Sequence, residues 1–470
     1  MEMRPKLVPQ RLSTMALGAA VAALLLIGTA RAQGPESALL ARLTAEQQQA
    51  YRTWQEARAG YERAFEAYWS AIEDKKAARR AKRELNQPVL PADYVIKHPP
   101  KYAGPPLRAD IAAIKAEMDP PRAADPDKAG VADFLAMARQ HYNFAPERTT
   151  EKDFKRRYAL EALRLGLTKD QVLRVYALET GGRGTFDMQA GIDPETRKGR
   201  PISSALGYAQ LLGGNSVNEL VLHGAGFAQR LDAMAADPRV TRLRAQQLTH
   251  KAQIVRAMVR AAKSVPNHWN DHVKFATTPR GLGIHALNMD ADVGPWMQVL
   301  KLDGLRGHAA KAGRMTLTGA ELELMNLAGP RTALEMMEPA GHGASTANFF
   351  SQQGFYRNTI VRERSSMELL AALEERMNAN LSKPGCVEFA AIFDQIAPSH
   401  VAAVRPPAAA PAAISGPAVV APPPQPAARS IPKPAVAAPV PPPAPAARPQ
   451  RVAEPTETGR VSGFAVFEPR

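Results

Sequence analysis

The clearest patterning along the chain is helical. Between residues 37 and about 86, Tyr51, Trp54, Tyr61, Phe65, Tyr68 and Ile72 recur at three- and four-residue spacing, with Arg58 in the remaining seam position. The spacing predicts one long helix over 37–86 carrying an aromatic stripe. Aromatic side chains are bulky for a plain two-stranded seam, so the stripe is expected to pack on the body of the protein or on a partner. It runs into a basic segment, Lys75, Lys76, Arg79, Arg80, Lys82 and Arg83, which reads as a solvated helix face. Prolines from Pro88 to Pro126 then interrupt residues 87–128, predicting a linker with one short helix near Ile111–Met118.

From about 129 to 397 the pattern stays helical, with little of the alternation that marks strands. Thr168 and Gln171 are spaced as a capping box opening a helix that reaches Glu179. Asp237-Pro238 is expected to start a long helix to about Ser264, and Thr278-Pro279 another, with proline in its first turn. Further helices are predicted at 291–312, 319–338, 365–381 and 386–396. The fold class is mostly α, with residues 129–400 as the folded domain.

The two ends differ from this body. Arg4, Lys6 and Arg11 precede an apolar run, Met15–Ile27, and Ala30-Arg31-Ala32 has the small-x-small form of a cleavage site. Residues 1–32 therefore read as a secretory signal, with an uncleaved anchor as the alternative. Residues 401–450 hold 16 prolines and 17 alanines. Such a stretch cannot build a core and is expected to be extended, reaching roughly 150 Å if fully drawn out. The disordered tail is placed at 401–470. An exported chain of this composition fits the periplasm.

Charge and cysteine content narrow the chemistry. The net charge is +15. The signal segment carries four basic residues and one acidic residue, so the remainder stays strongly basic and suited to polyanions such as cell-wall polymers. The export signal argues against nucleic acid as the partner. Cys386 is the only cysteine, so no intrachain disulfide can form. It follows Pro384-Gly385 at a helix start, where its pKa could fall, although a small buried residue explains it as well.

Glu179 stands in Tyr176–Gly182 (YALETGG), at the end of its helix. Val172, Val175 and Tyr176 lie seven, four and three residues before it and share its face. That face is apolar, so the carboxyl should be desolvated and its pKa raised, and the helix C-terminus pushes the same way. Gly181 and Gly182 are expected to end the helix and leave room for a ligand. A neutral carboxylic acid beside a cleft can protonate a leaving oxygen. Asp187 and Asp193, in the following loop, are candidates for a second carboxylate, although loop aspartates commonly form turns. His268 and His272 have the i, i+4 spacing of a zinc pair, but Trp269 stands where a metalloprotease carries glutamate, and a polar helix face is the better reading. No metal and no cofactor is called for.

With Gly207-Tyr208-Ala209-Gln210-Leu211-Leu212 downstream of Glu179-Thr180, the chain resembles the soluble lytic transglycosylases, which have a lysozyme-like fold. The similarity covers about residues 165–225. The resemblance implies that Glu179 is the general acid and base, that Thr180, in place of the usual serine, orients it, and that Gly207, Tyr208 and Gln210 line a glycan cleft. The loop between the two motifs is longer than in that family, and the nearest match to its Ala-Tyr-Asn segment is His285-Ala286-Leu287-Asn288. The implied function is exported peptidoglycan cleavage between N-acetylmuramic acid and N-acetylglucosamine. The alternatives are a hydrolytic muramidase and a catalytically silent glycan-binding or envelope scaffold, partnered through the N-terminal helix or the tail.

Overall fold

A computed structural model describes residues 35–119 and 127–404. The expected signal segment lies outside the described residues, as does the Pro/Ala-rich tail from residue 405. The described residues are mostly helical, with isolated β-bridges and no strand. None of their helices is long and apolar enough to cross a membrane.

The chain divides into two units, one formed by residues up to Tyr68 with Pro100–Asp125, the other by Trp69–Pro99 with the chain from Pro126 onward. The expected 37–86 helix is two helices, α1 (Pro35–Arg42) and α2 (Ala45–Glu84). Thr44 causes the break. Its hydroxyl accepts from the Gln47 N–H at 3.3 Å, while the Gln47 side chain accepts from the Thr44 N–H at 2.9 Å. In the first unit α3 (Ala109–Met118) supplies Ile111 to a core with Leu39, Leu43 and Tyr51, and Trp54 packs against it. The start of the stripe, Tyr51 and Trp54, is thus covered by the chain's own helices, while Tyr61, Phe65 and Tyr68 stay half-buried. Arg58, at the seam, sits 5.0 Å above the Tyr61 ring and 5.4 Å from Tyr102.

In the second unit, the end of α2 corrects the reading of its basic run. Arg79 is 1 % exposed. It donates to Glu335 at 2.7 Å and to the carbonyls of Asp93 and Asn348, and it lies over the Tyr94 ring. Lys82 pairs with Asp93 and Arg83 with Glu335. One side of the run is an anchor, because a guanidinium with three acceptors and an aromatic face can be buried. The proline-rich 87–99 segment is accordingly part of this unit, with Tyr94 buried.

The remaining helices are α4 (Val131–Tyr142), α5 (Glu151–Arg164), α6 (Lys169–Thr180), α7 (Gly213–Ala235), α8 (Arg242–Ala262), α9 (Trp269–Ala276), α10 (Pro279–His285) and α11 (Val293–Lys311). They are followed by α12 (Gly319–Ala328), α13 (Pro330–Met336), α14 (Gln352–Arg357), α15 (Ser366–Leu381) and α16 (Pro384–Val404). Two expected boundaries move. Asp237 accepts from the Arg239 N–H in a turn, and α8 starts four residues later, where Thr241 caps the Arg244 N–H. The expected 319–338 helix is broken at Gly329-Pro330, where Gly329 has φ +84° and proline restarts the helix. Helices α7 and α8 form the largest antiparallel pair, while α5, α12, α15 and α16 surround α6.

Candidate active site

Helix α6 begins at the expected capping box, with the Thr168 hydroxyl on the Gln171 N–H at 3.1 Å and the Gln171 side chain on the Thr168 N–H at 3.0 Å. Val172, Val175 and Tyr176 are buried, as their spacing requires. Burial extends around most of the helix, since every residue from Gln171 to Thr180 except Arg174 is buried. Glu179 is 4 % exposed. Its Oε1 accepts from Asn326 Nδ2 at 2.6 Å. Burial pushes its carboxyl up to about 7, against the opposing pull of Lys301, Asn326 and a hydrogen bond from Glu323.

The partners of Glu179 come from distant sequence. Glu323 and Asn326 stand on one face of α12 at i, i+3, and Asn326 Nδ2 also donates to Glu323 Oε1 at 3.0 Å. Glu323 is fully buried, and burial followed by the nearness of Glu179 holds its carboxyl well above the ordinary range. Neither residue was singled out from sequence. The available signal was a glutamate and an asparagine three apart inside the apolar run Leu322–Leu327, which places two polar side chains on a buried face. Lys301, on α11, donates to the Ala209 carbonyl at 2.8 Å.

A pocket of about 110 Å³ opens beside this group. Asn326 and Lys301 line it, together with Trp269 of α9, Asn215 and His223 of α7, and His308 of α11. Asn326 therefore belongs both to the pocket wall and to the carboxyl pair behind it. Trp269, which excluded a metalloprotease pattern, is part of this wall.

The other expected site residues serve internal roles. The Thr180 hydroxyl donates to the Tyr176 carbonyl at 2.6 Å, a helix back-bond, so it does not orient Glu179. Tyr208 is 1 % exposed and its hydroxyl donates to Glu151. Gln210 is fully buried and donates to the Gly207 carbonyl at 2.8 Å. Gly207–Leu211 is thus internal, because Tyr208 inserts among Phe154, Tyr158, Tyr176 and Phe389, and only Leu212 at the end of the segment lines the pocket. Gly182 leaves no room for a ligand either. Its φ is +72°, and a Cβ there would lie 2.7 Å from the Asn380 carbonyl.

Gly207 itself is required by geometry. Its φ is +78°, and an added Cβ would come within 2.3 Å of Gln298 Nε2. Gln298 in turn accepts from the Tyr208 N–H at 2.9 Å. Gly207→Ala is expected to cost about 2 kcal/mol or more from the left-handed backbone and the clash together. An unchanged thermal midpoint would show that the segment is looser than this.

Asp187 pairs with Arg197 at 3.0 Å and accepts from Thr185, and Asp193 caps the turn through the N–H groups of Glu195 and Thr196. Neither takes part in the Glu179 cluster. His285 is buried between Ser216 and the Ser204 carbonyl, and burial depresses it to about 4, so it is neutral there. Asn288 donates to the same serine, which makes the His285–Asn288 segment an internal network. His268 is the non-helical cap of α9, and His272 is buried, with no hydrogen-bond partner on either ring nitrogen. The pair is therefore not a polar helix face. No cluster of three or more potential metal ligands occurs among the described residues. Cys386 is buried, and burial raises its thiol to about 11.

No family model, curated protein or solved structure matches the chain. The chemistry of the site therefore rests on its own geometry. A carboxyl held neutral to about pH 7, one asparagine away from a pocket, can give a proton and take it back near neutrality.

Proposed function

We propose that the chain is an exported peptidoglycan lytic transglycosylase with a lysozyme-like catalytic unit and Glu179 as its general acid and base. The observation that carries this reading is the buried, raised carboxyl at the end of α6, fixed by Asn326 at the wall of a pocket. The resemblance of Glu179-Thr180 and Gly207–Leu212 to that family supplies the substrate. The half-buried Trp269 ring, with Asn215 and Asn218 nearby, gives the pocket an aromatic face and amide groups of the kind a sugar needs. A basic chain suits a murein polyanion.

In this reading Glu179 protonates the glycosidic oxygen between N-acetylmuramic acid and N-acetylglucosamine as the bond to the anomeric carbon breaks. The substrate's acetamido group stabilises the cationic centre. Ionised Glu179 then takes the proton of the 6-hydroxyl, whose oxygen closes the anhydro ring. One carboxyl suffices. Hydrolysis through two carboxylates needs them on either side of the scissile bond, at least about 5 Å apart. Asp187 and Asp193 are committed elsewhere, and Glu323 Oε1 shares the Asn326 amide nitrogen with Glu179 Oε1, which favours the one-carboxyl route.

The test is digestion of purified murein. Wild type is expected to release anhydro-muramyl ends, and Glu179→Gln to lose activity by about 10²-fold or more. Reducing muramyl ends would make the chain a muramidase. Binding to glycan strands with no cleavage would make it the silent scaffold.

A further inference from the structure

Two buried carboxyls meet at one amide. Asn326 Nδ2 reaches Glu179 Oε1 at 2.6 Å and Glu323 Oε1 at 3.0 Å. The remaining oxygens, Glu179 Oε2 and Glu323 Oε2, are buried and find no donor elsewhere in the protein. Two ionised carboxylates in that position would leave both oxygens unsatisfied and repelling each other. A single proton between them satisfies both at once. We propose that Glu323 is a positioning residue that holds this proton and donates it as a hydrogen bond to Glu179, so that the catalytic carboxyl works as half of an acid pair.

The charges around the pair bear this out. From α11 the facing cation is Lys301, and from α6 and α12 the two carboxyls face each other; α13 and α15, also packed on α12, place no charge on Glu179. Burial raises both carboxyls. Asn326 Nδ2 lies closer to Glu179 Oε1, at 2.6 Å, than to Glu323 Oε1, at 3.0 Å, so the amide favours the charge on Glu179 and leaves the proton to Glu323. Its O–H and the Asn326 N–H stabilise the Glu179 carboxylate formed once the leaving sugar has taken its proton. The same two donors keep that carboxylate ready for the 6-hydroxyl proton in the second half of the reaction.

The catalytic part of this inference rests on the transglycosylase reading, and the pairing does not. Carboxyl titration is therefore followed directly, by ¹³C NMR of glutamate-labelled protein, in wild type, Glu323→Gln and Glu323→Leu. Glu323→Gln keeps a donor and should leave the Glu179 titration near its wild-type position while abolishing the higher one. Glu323→Leu removes the donor and should move Glu179 upward. A Glu179 titration identical in all three proteins overturns the pairing, and the conservative glutamine variant keeps that test available should leucine prevent folding. Murein cleavage measured against pH then tests the role. The alkaline limb should move up in Glu323→Leu and stay in Glu323→Gln. A limb that stays while the carboxyl titration moves overturns the role in catalysis. Carboxyl shifts as expected in a protein that never cleaves murein would remove the transglycosylase reading and keep the pair.

Discussion

Glu179→Gln is expected to make the protein more stable at pH 8 than wild type, by about 3 kcal/mol, and to make almost no difference at pH 4. The sign follows from burial. The folded carboxyl titrates near 7 instead of 4.5, so between these values the folded state holds more proton than the unfolded chain. Stability from this group is therefore complete below about pH 4.5, falls as pH rises towards 7, and stays low above it. Glutamine never ionises, and it keeps an oxygen for Asn326 and an amide for Glu323. His285 works in the opposite direction, because its depressed value makes folding gain stability between about pH 4 and 6.5. The difference between variant and wild type at each pH cancels that contribution. Urea unfolding at the two pH values decides the matter, and an equal difference at both would show that burial does not raise the Glu179 carboxyl.

The second large effect is expected at Lys251→Met, a loss of about 3–5 kcal/mol. Lys251 is buried on α8 and pairs with Glu147 at 3.0 Å, Asp290 at 3.0 Å and Asp292 at 2.6 Å. Both aspartate side chains are fully buried. Burial works to raise Asp292, but Lys251, Arg244 and Arg157 outweigh it and hold the carboxyl below its usual range. Asp290 also accepts from the N–H groups of Asp292, Val293 and Glu147, so it ties the start of α11 to the segment before α5. Removing the lysine leaves buried anions without their closest cation. It also loosens the helix that carries Lys301 towards Glu179. Unfolding of the variant at pH 7 within 1 kcal/mol of wild type would mean that the arginines carry the cluster without it.

Much of the local structure was legible because its signals are local. The capping box at Thr168 places the start of α6, and three-to-four spacing turns Glu179 inward. The same kind of signal was present at Thr44, where another capping box starts α2. The stripe begins only at Tyr51, past the break, so its periodicity says nothing about where the helix starts. The rest of the site depends on contacts that no window shows. Asn326 lies 147 residues from Glu179. Its arrival beside the carboxyl requires α12 to pack on α6. Tyr208 was expected in a cleft from its place in the Gly207–Leu212 segment, but the same ring suits a core, and its hydroxyl found Glu151. Arg79 looked solvated for a similar reason, since nothing nearby in sequence announces Glu335.

The close approach at Gly182 also decides which parts of the protein can yield. The chain leaving Glu179 is wedged against the Asn380 carbonyl and the Lys383 side chain, and the Tyr176 hydroxyl grips the Gly184 carbonyl at 2.8 Å. The acid is clamped from behind and has no travel of its own. The opening lies on the other side, bordered by the exposed Leu222 of α7 and the half-buried Trp269 of α9. In engineering terms α6 is the anvil of this unit.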